Sequence, residues 1–493
     1  MRLAVALLAA ATAGCDLTTA GLVGRRYAGE RRVLRASLAQ AELDSGADAD
    51  SLAWQRVADL YGRALAHMDL AAIERPATQQ LERDLERLTR RALLGRALAH
   101  DRAGAFAAAR RDYEEVLRRA TPYRGARARA ALGLAECEDH AGRWSTAWPA
   151  YQLWMRGVCD GTWSLQRQAL AVPEYVSGRL RDRGARGDRE TWIALAAAGL
   201  EAAAERSENA REARYARFLL FLQAARYDDA YSALRLCRDR HDPEHRDGGL
   251  LLAEASLLAG ALGRQQEALG LLGGLRSETS PFDAEHRVAG WLLAAQIESR
   301  AGDLGAAEAS YCRAAAEARS ALGRSEATLG LARVHAQRGD VDLARRYYAQ
   351  LGELYPGTPA GLLAPIEEVR LARQSGDAAA AQTLLEQAVR HYRAVMQQFG
   401  TELPAIMAAG YWSECLGLQG RWDRGVAVLD SIADAFGRDP RSGSLLVRAA
   451  RLAADKLDDP RRARVLLRRL DTRYPNSDLT VAARGLADSI GER

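Results

Sequence analysis

A pattern of small and large apolar residues recurs along most of the chain. In AGDLGAAEASY, residues 301–311, a glycine is followed by alanine five residues later and by tyrosine nine residues later. The spacing occurs nine times, and successive first positions lie 37 to 44 residues apart except for one interval of 83. These first positions, called turn residues below, are Gly104, Gly142, Ala225, Gly263, Gly302, Gly339, Gly376, Gly420 and Asp458.

The spacing predicts a hairpin of two helices around each turn residue. Glycine ends a helix through a left-handed turn, and residues four apart share one helical face. An alanine and a large apolar residue on that face let two helices approach closely and fill the groove between them. The residues five after the turn are Ala109, Ala147, Ala230, Ala268, Ala307, Ala344, Ala381, Gly425 and Ala463. Those nine after it are Tyr113, Tyr151, Leu234, Leu272, Tyr311, Tyr348, Leu385, Leu429 and Leu467. The interval of 83 predicts one degenerate unit that turns near Gly187.

Two weaker positions complete the unit. Seven residues before the turn a small side chain recurs, at Ala97, Ala135, Ser256, Ala295, Ala332 and Ser413. Seventeen or eighteen residues after it a proline often follows, at Pro122, Pro243, Pro281, Pro356 and Pro475. The order of these positions resembles the tetratricopeptide repeat over roughly residues 90 to 475: a small residue, a glycine, an alanine, an aromatic residue and a proline. The resemblance implies an all-α, right-handed superhelical solenoid of hairpins of about 38 residues that binds other proteins.

The segments before and after the clear repeats are also predicted to be helical. Residues 51–70 and 78–100 have helical apolar spacing and are expected to pair ahead of the first clear repeat. We therefore expect an N-terminal tether and helices over 16–90, the solenoid over 91–475, and a polar-faced closing helix over 476–493.

The first 15 residues have the layout of a secretory signal. Arg2 precedes an apolar run, and the small residues Thr12, Ala13 and Gly14 precede Cys15. This order resembles a bacterial lipobox, which implies a signal peptide over 1–14 and acylation of Cys15. The alternatives are an ordinary cleaved signal and a cytoplasmic chain with a false one. Asp16 resembles an inner-membrane retention signal of enterobacterial lipoproteins, and the choice of membrane stays open.

Composition excludes several classes of protein. The 69 basic and 64 acidic residues are interspersed and give a net charge of +5, which is typical of solvated helix faces and not of a nucleic-acid-binding patch. Five cysteines beyond Cys15, an odd number at wide spacing, argue against a disulfide framework. Aromatic residues are 6% of the chain and β-branched residues are sparse, which favours helix over strand.

No pattern in the sequence predicts an enzyme or a cofactor. It contains no glycine-rich phosphate loop, nucleophile elbow or zinc-protease helix. His241 and His245 have the spacing of two metal ligands on one helical face, but Pro243 between them indicates a connection between repeats, so no metal site is predicted.

Cysteines and tryptophans are predicted to pack inside the repeats. Cys137 and Cys415 lie five residues before their turns, a position that is apolar in other units. Trp144 and Trp422 both lie two residues after their turns, which favours packing; the alternative is an aromatic platform for sugars or peptides.

Partner binding is predicted on the first helix of each hairpin. Positions six, three and two before the turn are expected to face a concave groove and to offer hydrogen-bond donors to an extended acidic segment. In three consecutive units these residues are Gln296, Arg300, Arg333, Gln337, Arg370, Arg373 and Gln374. The alternative is an ordinary solvated face.

The leading hypothesis is a lipid-anchored, non-catalytic scaffold in a bacterial envelope complex, facing the periplasm and holding a protein or extended peptide. RYPNSDLTVAA (473–483) and LYPGTPAG (354–361) resemble junctions of envelope lipoproteins, including those of outer-membrane barrel assembly and of the Tol-Pal system. The alternatives are an accessory subunit that holds cell-wall glycan or a cell-wall enzyme, and a cytoplasmic regulator.

Overall fold

The regular structure is helical throughout the part of the chain that the structure describes. This computed structural model describes residues 17–45, 51–73, 79–119, 124–163, 165–206, 209–242, 246–277, 280–437, 440–473, 483 and 486–487. Within those ranges it contains 22 α-helices and two 3₁₀ turns and no strand, which confirms the all-α prediction. The predicted signal peptide, Cys15 and most of the closing helix lie outside the described residues.

The helices fall into two compact units that divide between Ala224 and Ala225. The first unit contains α1 (Leu17–Ser45), α2 (Ser51–Ile73), α3 (Gln79–Arg102), α4 (Phe106–Arg119), α5 (Arg124–His140), α6 (Trp144–Cys159), α7 (Val172–Asp182), α8 (Arg186–Arg206) and α9 (Ala210–Gln223).

The second unit begins with α10 (Tyr227–His241), α11 (Gly248–Gly260), α12 (Gln265–Arg276), α13 (Ala284–Arg300), α14 (Leu304–Glu317), α15 (Ala321–Arg338) and α16 (Val341–Leu354). It continues with α17 (Pro359–Gln374), α18 (Ala378–Phe399), α19 (Leu403–Leu418), α20 (Trp422–Ala435), α21 (Gly443–Lys456) and α22 (Pro460–Arg473). The 3₁₀ turns are Arg167–Ala169 in the first unit and Pro440–Ser442 in the second.

All nine predicted turn residues connect two helices in a left-handed conformation. Their φ angles lie between 50° and 88°, and the two that are not glycine, Ala225 and Asp458, adopt φ of 58° and 50°. At Gly339 the amide donates to the Ala336 carbonyl at 3.2 Å, and the Asp340 amide donates to the His335 carbonyl at 2.9 Å. This pair of bonds is a Schellman motif, which satisfies carbonyls that the helix end leaves free.

The predicted core positions are buried. The residues five and nine after each turn are all buried, and so are the small residues seven before it except Ser256. Ser256 is exposed because α11 ends at Gly260, two residues short of the residue that precedes Gly263, so this turn is longer than at the other turn residues; Ala255 is buried in its place.

The degenerate unit turns at Gly184, three residues before the Gly187 near which the turn was predicted. Gly184 has φ of 68° between α7 and α8, whereas Gly187 is already the second residue of α8. Five residues after Gly184 the alanine is replaced by Arg189, whose Nε donates to Ser177 Oγ at 3.2 Å. The second donor group of Arg189 bonds the Gln223 carbonyl at 3.1 Å. In this unit an arginine that bridges two helices stands where the other units have a buried small residue. The repeat pattern is therefore not visible in this part of the sequence.

The N-terminal helices pack in series. As expected for residues 51–70 and 78–100, α2 packs on α3, which is also the first helix of the Gly104 hairpin, and α2 packs to the same extent on α1. Residues 17–45, expected to include a tether, form one helix whose Val33 and Ala36 are buried in the same core as Trp54 of α2.

First helices of successive hairpins pack on one another. These contacts join α1 to α3, α3 to α5 and α7 to α9 in the first unit, and α11, α13, α15, α17, α19 and α21 in series in the second. The second helices of the second unit show no comparable mutual packing in the described ranges. The odd-numbered helices of each unit therefore lie side by side and offer a shared face. None of the described helices is both long enough and apolar enough to cross a bilayer.

Candidate functional site

The seven predicted donor residues lie on three adjacent first helices, α13, α15 and α17. Six of the seven side chains are exposed, and Arg370 is half-buried. The hydroxyl of Ser299 on α13 donates to Gln337 Oε1 on α15 at 3.2 Å, so these two helices meet at the level of the predicted donor residues. The structure places the seven residues on three first helices that pack side by side.

Two of the seven donor residues already bind other groups of the protein. Arg370 pairs with Glu367 at 2.7 Å and with Glu414 of α19. Burial lowers the pKa of Arg370, but the two carboxylates outweigh it and raise the pKa overall. Arg373 donates to the Leu418 carbonyl at 2.9 Å, the last residue of α19. These two arginines therefore hold α17 against α19, and the charge of Arg370 is already compensated.

A smaller set has no such contacts. Gln296, Arg300 and Arg333, called the donor patch, are exposed and make no hydrogen bond or ion pair within the described ranges. Burial raises the pKa of the Tyr311 hydroxyl; the charges of Arg333 and Arg300 act to lower it and the charge of Glu298 acts to raise it. Two arginines from adjacent hairpins therefore act on one buried tyrosine, with the carboxylate of Glu298 also in its neighbourhood.

Tyr348 continues this arrangement into the next hairpin. Burial raises the pKa of Tyr348 to about 12, helped by the charge of Glu367 and opposed by that of Arg333. The charge of Arg333 therefore acts on two buried phenols, Tyr311 and Tyr348, which occupy the same position in successive repeats. A carboxylate bound there would meet two guanidinium groups with planar, paired donors, the geometry that favours arginine in carboxylate recognition.

The first unit contains a groove that no pattern in the sequence had indicated. It has a volume of about 1360 Å³, is lined mainly by α1, α3 and α5, and contains Tyr61, Tyr113 and Glu136. Arg26 and Asp84 form an ion pair of 3.0 Å at its wall, and Tyr61 donates to Gln40 Oε1 at 2.9 Å. Its basic and acidic side chains are mixed, so its charge alone selects no partner.

Glu136 is the most unusual group in that groove. Burial raises the pKa of Glu136 to about 7; His140 acts to lower it and Asp101 to raise it further. The carboxyl makes no hydrogen bond or ion pair within the described ranges. Glu136 stands six residues before Gly142, the register position of Gln296, Arg333 and Arg370, so the repeat could have identified it. The prediction was made only for the C-terminal hairpins.

The other candidate residues are mostly packed into the hairpins. Cys137 and Cys415 are buried, and burial raises the pKa of each thiol to about 12, as expected for core positions. Trp422 packs on Gly417, where a β-carbon would lie 2.1 Å from the ring. Trp144 is half-buried and stacks on Trp148 with ring centres 6.2 Å apart.

The histidine pair is only partly described. His241 is the last residue of α10, and His245 lies outside the described residues. Among the residues with described positions, no group of three or more His, Cys, Asp or Glu side chains could hold a metal ion.

Comparisons with known proteins identify the repeat. The family model of the tetratricopeptide repeat matches residues 326–358 and 445–477, which contain the turns at Gly339 and Asp458. No curated protein matches the sequence.

Several solved structures are similar to this chain in their helical architecture. The Cut9–Hcn1 hetero-tetramer of the APC/C is 13% identical with a TM-score of 0.27, over 97% of this chain and 98% of that one. The quorum sensor NprR from B. thuringiensis is 14% identical with a TM-score of 0.34, over 77% and 97%. Human IFIT1 with a capped RNA is 14% identical with a TM-score of 0.29, over 76% and 89%. At these values the similarities carry no argument about a ligand or partner of this chain. Two segments of the chain thus match the tetratricopeptide repeat within an all-α repeat solenoid, an architecture that serves protein–protein interaction and is in general not enzymatic.

Proposed function

We propose that this protein is a non-catalytic scaffold that binds an acidic segment of a protein partner through the donor patch. Arg300 and Arg333 carry the proposal because both are exposed, lie near Tyr311 and have no acidic partner within the described ranges. By contrast, Arg370, another of the seven predicted donor residues, is already paired with carboxylates of the protein itself. A carboxylate from a partner would complete at the donor patch the contacts that Glu414 makes with Arg370.

The second part of the proposal concerns location. The charged start, the apolar run and the small residues before Cys15 support a lipid anchor on that cysteine and a role in a bacterial envelope complex. Metabolic labelling with a fatty acid tests this part, because Cys15→Ala should lose the label that the native chain carries. Label on both chains or on neither would contradict the anchor.

Charge reversal tests the donor patch. Arg300→Glu with Arg333→Glu should abolish capture of partners from detergent-solubilised envelope, since two attractive guanidinium groups become repulsive carboxylates. The matched control is Arg313→Glu with Arg346→Glu, which changes charge equally at exposed arginines of the second helices α14 and α16. Equal capture by both double variants, with unchanged thermal unfolding, would remove the donor patch from consideration.

A further inference from the structure

The first helix carries an apolar stripe on the side that faces away from the protein. Tyr27, Arg31, Leu34 and Leu38 are spaced four, three and four residues apart, so they follow one face of α1. Tyr27, Leu34 and Leu38 are 53%, 51% and 56% exposed. The opposite face is buried, because Val33 packs into the core that α1 shares with α2 and α3.

An exposed apolar stripe is unexpected at the end of a repeat array. The outer face of a terminal repeat is ordinarily polar, since no further repeat covers it. α1 packs on α2 and α3, and no described helix lies over Tyr27, Leu34 and Leu38. Three half-exposed large residues along one helix therefore indicate that something outside the described chain covers them.

The charges beside the apolar stripe of α1 indicate what kind of surface covers it. Arg31, Arg32 and Arg35 are exposed and make no ion pair within the described ranges. Exposed apolar residues flanked by arginines suit a lipid surface, because the apolar side chains can enter the headgroup layer while the cations lie at lipid phosphates. The exposed Glu30 and Glu42 also lie on α1. A protein partner with an acidic rim would satisfy the same charges, but the position of α1 in the chain favours lipid.

The short distance along the chain between Cys15 and α1 places the start of α1 close to a lipid anchor. Only Asp16 separates Cys15 from Leu17, and two residue steps span at most about 7 Å. An acyl chain on Cys15 would hold the start of α1 at the lipid surface with no linker between them. This step rests on the lipid anchor of the proposed function.

We propose that α1 lies along an anionic lipid surface, with Tyr27, Leu34 and Leu38 in the headgroup layer and Arg31 and Arg35 at the phosphates. The stripe then works with the acyl chain: a single chain binds a membrane only weakly, and a second apolar and basic contact makes the attachment stable and fixes the orientation of the first unit.

Fluorescence quenching in full-length protein tests the contact. An environment-sensitive dye is attached to Leu38→Cys in a Cys312→Ser background, and phosphatidylglycerol vesicles carry headgroup spin-labelled lipid. The matched control is Leu354→Cys, whose parent side chain is 55% exposed on α16. The dye at residue 38 should be quenched about threefold or more above the dye at residue 354. Arg31→Glu with Arg35→Glu, or phosphatidylcholine in place of phosphatidylglycerol, should reduce that difference at least about twofold.

The outcomes separate this inference from the anchor. If native protein floats with vesicles but the dyes at residues 38 and 354 are quenched equally, the stripe does not contact lipid and the inference is overturned while the anchor stands. If the native chain lacks the fatty-acid label but added vesicles still quench residue 38 selectively, the anchor fails and the lipid contact stands. A dye at residue 38 that is already shielded without vesicles, in protein that sediments as a dimer, would assign the stripe to a second copy and overturn the inference.

Discussion

The ring of Tyr311 packs directly on the backbone of Gly330 in the next hairpin. A β-carbon at Gly330 would lie only 2.1 Å from Cε1 of that ring. The same contact joins Tyr113 to Gly133 and Tyr61 to Gly95. Each of these glycines stands nine residues before a turn residue, and Tyr113 and Tyr311 each stand nine residues after one, so these two contacts link equivalent positions of successive repeats.

Replacing Gly330 by alanine should destabilise the second unit. The added methyl group must displace a buried tyrosine ring, which costs about 1 to 3 kcal/mol and exceeds the gain of about 1 kcal/mol in helix propensity. Thermal unfolding followed by circular dichroism measures the effect. Gly270→Ala is the control, because Gly270 lies in α12 with open space around it and the change should stabilise. A stabilised Gly330→Ala variant would show that the ring is not held there.

Replacing Ala225 by glycine should stabilise the protein by about 1 kcal/mol. Alanine at φ of 58° carries the steric cost of the left-handed region, which glycine avoids. The neighbouring Ala224 has φ of −76°, so Ala224→Gly should instead destabilise by about 0.5 to 1 kcal/mol. Urea unfolding of the two variants gives the comparison; a fall in stability at both positions would contradict the left-handed turn at Ala225.

Glu136→Gln should stabilise the first unit above neutral pH. Burial raises the folded-state pKa of Glu136 to about 7, so the folded protein binds more protons than the unfolded chain between the ordinary glutamate pKa and about 7. Stability contributed by this group therefore falls as pH rises across that window. The variant should exceed the native protein by up to about 3 kcal/mol at pH 8 and match it near pH 4. Urea midpoints at both pH values check this, with the exposed Glu114→Gln as control; an advantage independent of pH would contradict it.

The cysteines should differ in reactivity by their burial. Cys137 and Cys415 are buried with thiol pKa values raised to about 12, whereas Cys312 is exposed. Because the thiolate is the reactive form, N-ethylmaleimide at pH 8 should modify Cys312 at least about 100-fold faster than either buried thiol. Mass spectrometry of digests reads each site, and unfolding in urea should remove the difference. Rapid modification of native Cys137 would place it outside the core.

Repeat architecture could be predicted because it depends on local chemistry. A left-handed turn residue, a buried alanine and a large apolar residue must recur at fixed offsets for one hairpin to pack on the next, so the period is visible in the sequence. That was enough to find nine turns, including Ala225 and Asp458, which are not glycine. The repeat pattern did not reveal the unit in which Arg189 replaces the alanine. There the arginine stabilises the packing through a hydrogen bond to the distant Gln223 carbonyl, and no small residue is needed at that position.

The sequence by itself determined the helical class, the repeat period and the face on which the donors lie, since these depend on residues within about 20 positions of each turn. Only the tertiary structure decided which of the donors are available. Arg370 meets Glu414, 44 residues away on the next hairpin, whereas Arg333 meets no carboxylate in the part of the chain that the structure describes; both occupy the same register position. The exposure of Leu34 and Leu38 was likewise invisible, because an apolar stripe on α1 has the same pattern whether or not another helix covers it. Pairing across hairpins depends on which side chains the fold brings together, and no local spacing carries that information.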